Sequence, residues 1–137
     1  MNPDHTTMAA LVAAARAARK RAYAPYSRFL VGAALLDEHG RIHAGCNIEN
    51  AAYPQGQCAE ATAIGHLVLA GGTRIVAAVV VGVAAEPVTP CGGCRQRLRE
   101  FAAGDVPVWV ADLDTVRARF TLGQLLPASF GPAHLGP

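Results

Sequence analysis

The chain has 137 residues, the length of one ordinary domain, which contains roughly 100 to 200. Hydrophobic residues make up 52% of it and charged residues 16%, which excludes an intrinsically disordered chain, and the alanine-rich excess suits close helix packing or a buried oligomer face. The formal charge is only +2, with one dense basic cluster at Arg16, Arg19, Lys20 and Arg21, so neither a polynucleotide nor a membrane is an expected partner.

Thr7 to Ala22 reads as a helix, with Met8, Leu11, Val12, Ala15 and Ala18 on one face, capped by Thr6 or Thr7. Phe29 to Leu36 and Arg41 to Cys46 have strand composition around the turn Asp37-Glu38-His39-Gly40, as in an antiparallel hairpin. Asn47 to Gln57 is a polar loop broken by Pro54 and Gly56. Cys58 to Ala70 returns to helical spacing and ends at Gly71-Gly72. Ile75 to Val83 is continuously apolar and β-branched, the pattern of a central strand covered on both faces but far too short for a membrane helix of about 20 residues. A second helix over Cys91 to Ala102, a strand over Val106 to Ala111, a short strand at Arg117 to Thr121 and a helical turn at Leu122 to Leu126 follow. This order predicts an α/β fold with a mixed, about five-stranded sheet and helices on both faces. The whole of 1–137 is expected to form one domain, with its core over about 7–127 and a mobile tail at 131–137. The N-terminus has no basic flank leading into an apolar stretch, so no signal peptide is expected.

The four cysteines carry the most information. Without a secretory signal they imply a reducing compartment, where thiols bind metal or react. Cys91-Gly92-Gly93-Cys94 alone fits zinc sites, redox pairs and iron–sulfur clusters alike. Cys58-Ala59-Glu60 adds a third thiol, and both segments fall at expected helix N-termini, where the dipole and free N–H groups favour thiolates. Three soft ligands suit Zn²⁺ and leave a fourth tetrahedral position for water, with Glu60 placed to shuttle protons. Cys46 is the candidate fourth ligand of a closed structural Cys₄ site, but it ends a strand eleven loop residues before Cys58 and reads better as a small buried hydrophobe. His66 reads as an ordinary helix histidine, and His5, His39, His43 and His134 show no metal spacing.

With these residues in view the chain resembles the small, zinc-dependent, homotetrameric cytidine deaminases. The matching text is Tyr26-Ser27-Arg28-Phe29-Leu30-Val31-Gly32-Ala33-Ala34, then Gly45-Cys46-Asn47-Ile48-Glu49-Asn50-Ala51-Ala52-Tyr53-Pro54, Cys58-Ala59-Glu60 and Thr89-Pro90-Cys91-Gly92-Gly93-Cys94-Arg95-Gln96. The resemblance implies a three-layer α/β/α sandwich, one Zn²⁺ per chain on Cys58, Cys91 and Cys94, and Glu60 as the proton shuttle. It implies hydrolytic deamination of cytidine and 2′-deoxycytidine in pyrimidine salvage, in the cytoplasm, by a homotetramer whose pockets are shared between subunits. Asn47 and Glu49 would bond the ribose 3′-hydroxyl, Phe29 would pack on the pyrimidine and Ala51 would offer backbone contacts to the base. Tyr53 would lie near a subunit boundary, and Phe130 would be the C-terminal aromatic that completes a pocket.

One position departs from the common pattern. Many relatives carry arginine directly after Cys-Ala-Glu, against the thiolates; here it is Ala61. Compensation of the thiolate charge is then expected from the helix N–H groups above all, from Arg95 or Gln96, or from a shifted working pH. The missing arginine leaves a related substrate open, an aminonucleoside such as blasticidin S, and the structural Cys₄ protein is the non-enzymatic rival.

Overall fold

The computed structural model describes residues 3–136. Its elements follow the expected order: α1 (His5–Arg19), β1 (Gly32–Asp37), β2 (Ile42–Cys46), α2 (Ala59–Leu69), β3 (Ile75–Val81), α3 (Gly92–Phe101), β4 (Pro107–Ala111), β5 (Val116–Thr121) and α4 (Leu122–Leu125). The five strands form one sheet in the order β2-β1-β3-β4-β5. β3 and β4 run parallel and every other pair is antiparallel, so the sheet is mixed.

The period-2 alternation of strand side chains divides the core into two layers. On one face Leu11, Val12 and Ala15 of α1 pack on Ala34, Leu36, Ala77, Val79, Val81 and Trp109. On the other, Ala59, Ala63 and Leu67 of α2 and Leu98 of α3 pack with Leu122 and Leu125 on Ala33, Leu35, Ala78 and Val108. The result is the three-layer α/β/α sandwich, with β3 buried on both sides as its apolar run requires.

Several local features differ from expectation. The cap of α1 is Asp4, whose Oδ1 accepts from the Thr7 amide at 2.8 Å, rather than Thr6 or Thr7. β1 starts at Gly32 and not at Phe29, because the Val31 amide is taken by the side chain of Asn47 (2.9 Å) instead of a neighbouring strand. The 47–57 loop is partly ordered by its own backbone: Ile48 bridges to Tyr23 and to Gln57, and Tyr53–Gln55 makes a 3₁₀ turn. In the segment expected to be a mobile tail, Pro132–Leu135 forms a 3₁₀ turn; Pro137 lies outside the described residues.

Candidate active site

Cys58 and Cys91 occupy equivalent places, each the N-cap of a helix, α2 and α3 respectively. Their backbones are extended (ψ 157° and 168°) and neither thiol caps its own helix, so both sulfurs are free to face outward from the helix starts. Cys94 enters from the first turn of α3 and is fully buried. The three sulfurs lie within 4.8 Å of one another, with Cys58 and Cys91 3.8 Å apart. A tetrahedron with Zn–S bonds of about 2.3 Å has edges of about 3.8 Å, so this donor set fits a zinc ion in both chemistry and size. It is the one such cluster among the described residues, and Cys46, at the end of β2, is not part of it.

Glu60 lies in the first turn of α2 and is only 3% exposed. Burial pushes its carboxyl above the ordinary value; its own amide opposes the shift, while the negative charge of Cys58 adds to it. Within the thiol cluster, a hydrogen bond from Cys94 draws Cys58 down to about 6, and the same bond, with burial, pushes Cys94 up.

These groups open onto a cavity of about 320 Å³, within the roughly 300–1,000 Å³ of small-molecule sites. Cys58, Glu60 and Cys91 form one wall; Val80, at the C-terminal end of β3, contributes the floor with Val88 and Thr89. Ligands bind beyond the carboxyl ends of strands in open α/β sheets, and this cavity obeys that rule. Facing the cysteines are Ser27, Phe29, Val31, Asn47 and Glu49. Three of the six expected substrate contacts, Phe29, Asn47 and Glu49, thus share the cavity with the cysteines. Ala51, Tyr53 and Phe130 do not line it. Tyr53 is 74% exposed, stacks edge-on with Tyr26 at 5.9 Å, and lines a second hollow that shares Ser27 and Glu49 with the first. Phe130, 56% exposed, stacks on His134.

The polar wall is held by bonds that the motifs alone did not reveal. Asn47 Nδ2 donates to the Phe29 carbonyl (2.8 Å) while its Oδ1 accepts from Val31, so one amide fixes the segment that carries Phe29. Glu49 accepts from the amides of Tyr26 (2.9 Å) and Ser27 (3.1 Å) and from the Ser27 hydroxyl. That set of donors, led by the Ser27 hydroxyl, holds its carboxyl below the ordinary value. Arg28, between these contacts, takes the left-handed conformation (φ 61°), which turns the chain from Ser27 to Phe29.

Arg95 and Gln96 direct their hydrogen bonds to groups other than the sulfurs. Arg95 is committed to the carbonyls of Pro90 (2.8 Å) and Leu125 (2.9 Å) and to the Thr89 hydroxyl, and Gln96 donates to the Phe130 carbonyl (2.9 Å). Both anchor the C-terminal segment to α3. Arg97, which the sequence pattern did not single out, has Nη1 3.9 Å from Cys94 Sγ.

A mixed α/β/α sandwich presenting three convergent thiols and a buried carboxylate at a strand end has the parts of a zinc hydrolase acting on a small molecule. The family model for the cytidine and deoxycytidylate deaminase zinc-binding region matches residues 5–110. A cytidine deaminase of Sporosarcina psychrophila is 46% identical over 91% of this chain and 92% of its own length, and one of Halalkalibacterium halodurans is 43% identical over 88% and 91%. The crystal structure of cytidine deaminase from Burkholderia pseudomallei superposes with a TM-score of 0.85 at 41% identity, covering 93% of this chain and all of that one. The chain belongs to the cytidine and deoxycytidylate deaminase family.

Proposed function

We propose that the chain catalyses the zinc-dependent hydrolytic deamination of cytidine and 2′-deoxycytidine, giving uridine or 2′-deoxyuridine and ammonia, as a step of pyrimidine salvage. The observation that carries this reading is the clustering of Cys58, Cys91 and Cys94 at a nucleoside-sized cavity that Cys58, Cys91 and Glu60 line. Its support is family membership and relatives named cytidine deaminase at 43–46% identity.

Cys58, Cys91 and Cys94 would hold zinc, which would supply the Lewis acidity that makes water nucleophilic at neutral pH. Glu60 takes a proton from the attacking water and delivers it to N3 of the pyrimidine. As the water oxygen becomes the C4 carbonyl oxygen, a second proton passes through Glu60 to the departing amino nitrogen. A buried carboxylate with a raised affinity for protons suits both halves of this relay. Phe29 packs on the base, while Asn47 and Glu49 present acceptor and donor groups to the ribose 3′-hydroxyl. Such a polar wall, already fixed by Ser27 and the Phe29 carbonyl, discriminates against an analogue that lacks the hydroxyl.

The single domain works as a cytoplasmic homotetramer in this reading. Support for assembly comes from the exposed aromatics Tyr26, Phe29 and Tyr53, which line the cavity and the hollow beside it. Ala51, Tyr53 and Phe130 then serve the pocket of a neighbouring copy rather than their own. Four free cysteines accord with a reducing compartment.

An ultraviolet assay of cytidine loss on purified protein, with zinc quantified per chain, tests the proposal. Turnover of cytidine and deoxycytidine with one zinc per chain is expected. A panel with free cytosine and blasticidin S in which only blasticidin is consumed would replace the substrate while keeping the chemistry.

A further inference from the structure

We propose that Arg97 supplies the countercharge of the three-cysteine centre, through its guanidinium against Cys94 Sγ, and that Gly93 is small in order to seat it. The inference rests on the zinc reading of the cysteines and adds to it a positioning residue outside the Cys-Gly-Gly-Cys motif.

Three thiolates around a divalent cation leave one net negative charge, which a nearby cation offsets best when it also hydrogen-bonds a sulfur. Ala61 offers nothing of the kind. Arg95 and Gln96 are spent on the loop at residues 89–90 and the C-terminal segment. Arg97 lies three residues beyond Cys94, hence on the same face of α3, and its Nη1 is 3.9 Å from that sulfur. That contact joins a cation directly to a sulfur of the cluster.

The backbone around it is shaped to match. A Cβ added to Gly93 would lie 3.2 Å from Arg97 Nη1, whereas one added to Gly92 would meet nothing within 4 Å. Of the two glycines between the ligands, only the second borders the guanidinium. The exposed stem of Arg97 leaves the core untouched, so substitution there spares the fold.

Competition against a chromophoric chelator gives the zinc affinity of the native chain, Arg97→Gln and Arg97→Lys, and Co²⁺ loading gives the sulfur-to-cobalt charge-transfer band of each. Arg97→Gln should bind zinc about 10- to 100-fold more weakly, the usual effect of losing a group that supports a ligand, and should move the band. Arg97→Lys should recover part of both, and Gly93→Ala should shift the band with all ligands in place. Native affinity and an unmoved band in Arg97→Gln would overturn the role of Arg97 while leaving the zinc site standing. Equal losses in Gln and Lys variants would overturn the charge argument, and a native chain that binds no zinc would overturn both readings.

Discussion

Gly45 of β2 and Ala63 of α2 meet backbone to backbone: a Cβ on Gly45 would lie 2.4 Å from the Ala63 nitrogen and 2.5 Å from the Ala59 oxygen. This contact sets how close α2 rides to the sheet, and α2 is the helix that begins with Cys58 and Glu60. Gly45→Ala must push the helix outward. The expected cost is about 1–3 kcal/mol of stability, accompanied by weaker zinc retention. Urea unfolding and zinc content measure the two effects, and an unchanged midpoint with full zinc would show that the contact does not set the helix position.

The hairpin beneath that contact is locked by a buried charge. Asp37, 1% exposed, accepts from Arg41 Nε and His43 Nε2 at 2.8 Å each and from the amides of His39 and Arg41. Burial alone would raise its carboxyl, but these donors outweigh it and hold the group well below its ordinary 3.8. A depressed carboxyl stabilises the fold fully above that ordinary value and loses the contribution as pH falls toward the native one. Stability should therefore decline from about pH 4 downward, and Asp37→Asn should flatten that decline while costing about 3 kcal/mol at neutral pH. A variant whose stability falls with acid as steeply as the native chain would remove Asp37 from this role.

Much of this was legible in the sequence, because the fold announces itself through period. The switch from helical spacing to the unbroken β-branched run at Ile75 located the central strand, and turn residues separated the rest. Ligand types at helix starts made the cysteine cluster readable, since Cys58 and Cys91 need only local backbone to be aimed. What escaped were pairings across the chain. Nothing local says that Ser27 will bond Glu49, 22 residues on, or that Asn47 will satisfy Val31 in place of a strand. Arg97 was within reach of an i, i+3 argument from Cys94, but an exposed arginine on a helix reads as surface until its neighbours are known.

Ser27 and Glu49 yield a third expectation. The serine hydroxyl and amide orient the carboxylate toward the cavity, so the pair should govern binding more than chemistry. Glu49→Gln should lower kcat/KM for cytidine about tenfold or more, the range for a charge-assisted hydrogen bond, chiefly through KM. Ser27→Ala should do the same to a smaller extent. Steady-state kinetics separate the two parameters, and a loss confined to kcat would contradict a binding role.

Glu60 is the sharpest case, because its proposed task separates metal binding from turnover. The carboxylate is buried close to Cys58 and Cys94 and lines the cavity, but it is not among the three sulfur donors. Glu60→Gln keeps shape and burial and removes only the capacity to take up and return a proton. Zinc per chain should stay at one, while kcat falls by roughly 10²- to 10⁴-fold, the contribution of a positioned acid–base group. Metal analysis and cytidine turnover on the same sample distinguish the outcomes. Loss of zinc would make Glu60 part of the metal site, and native-like turnover with zinc retained would require a different group to carry the protons.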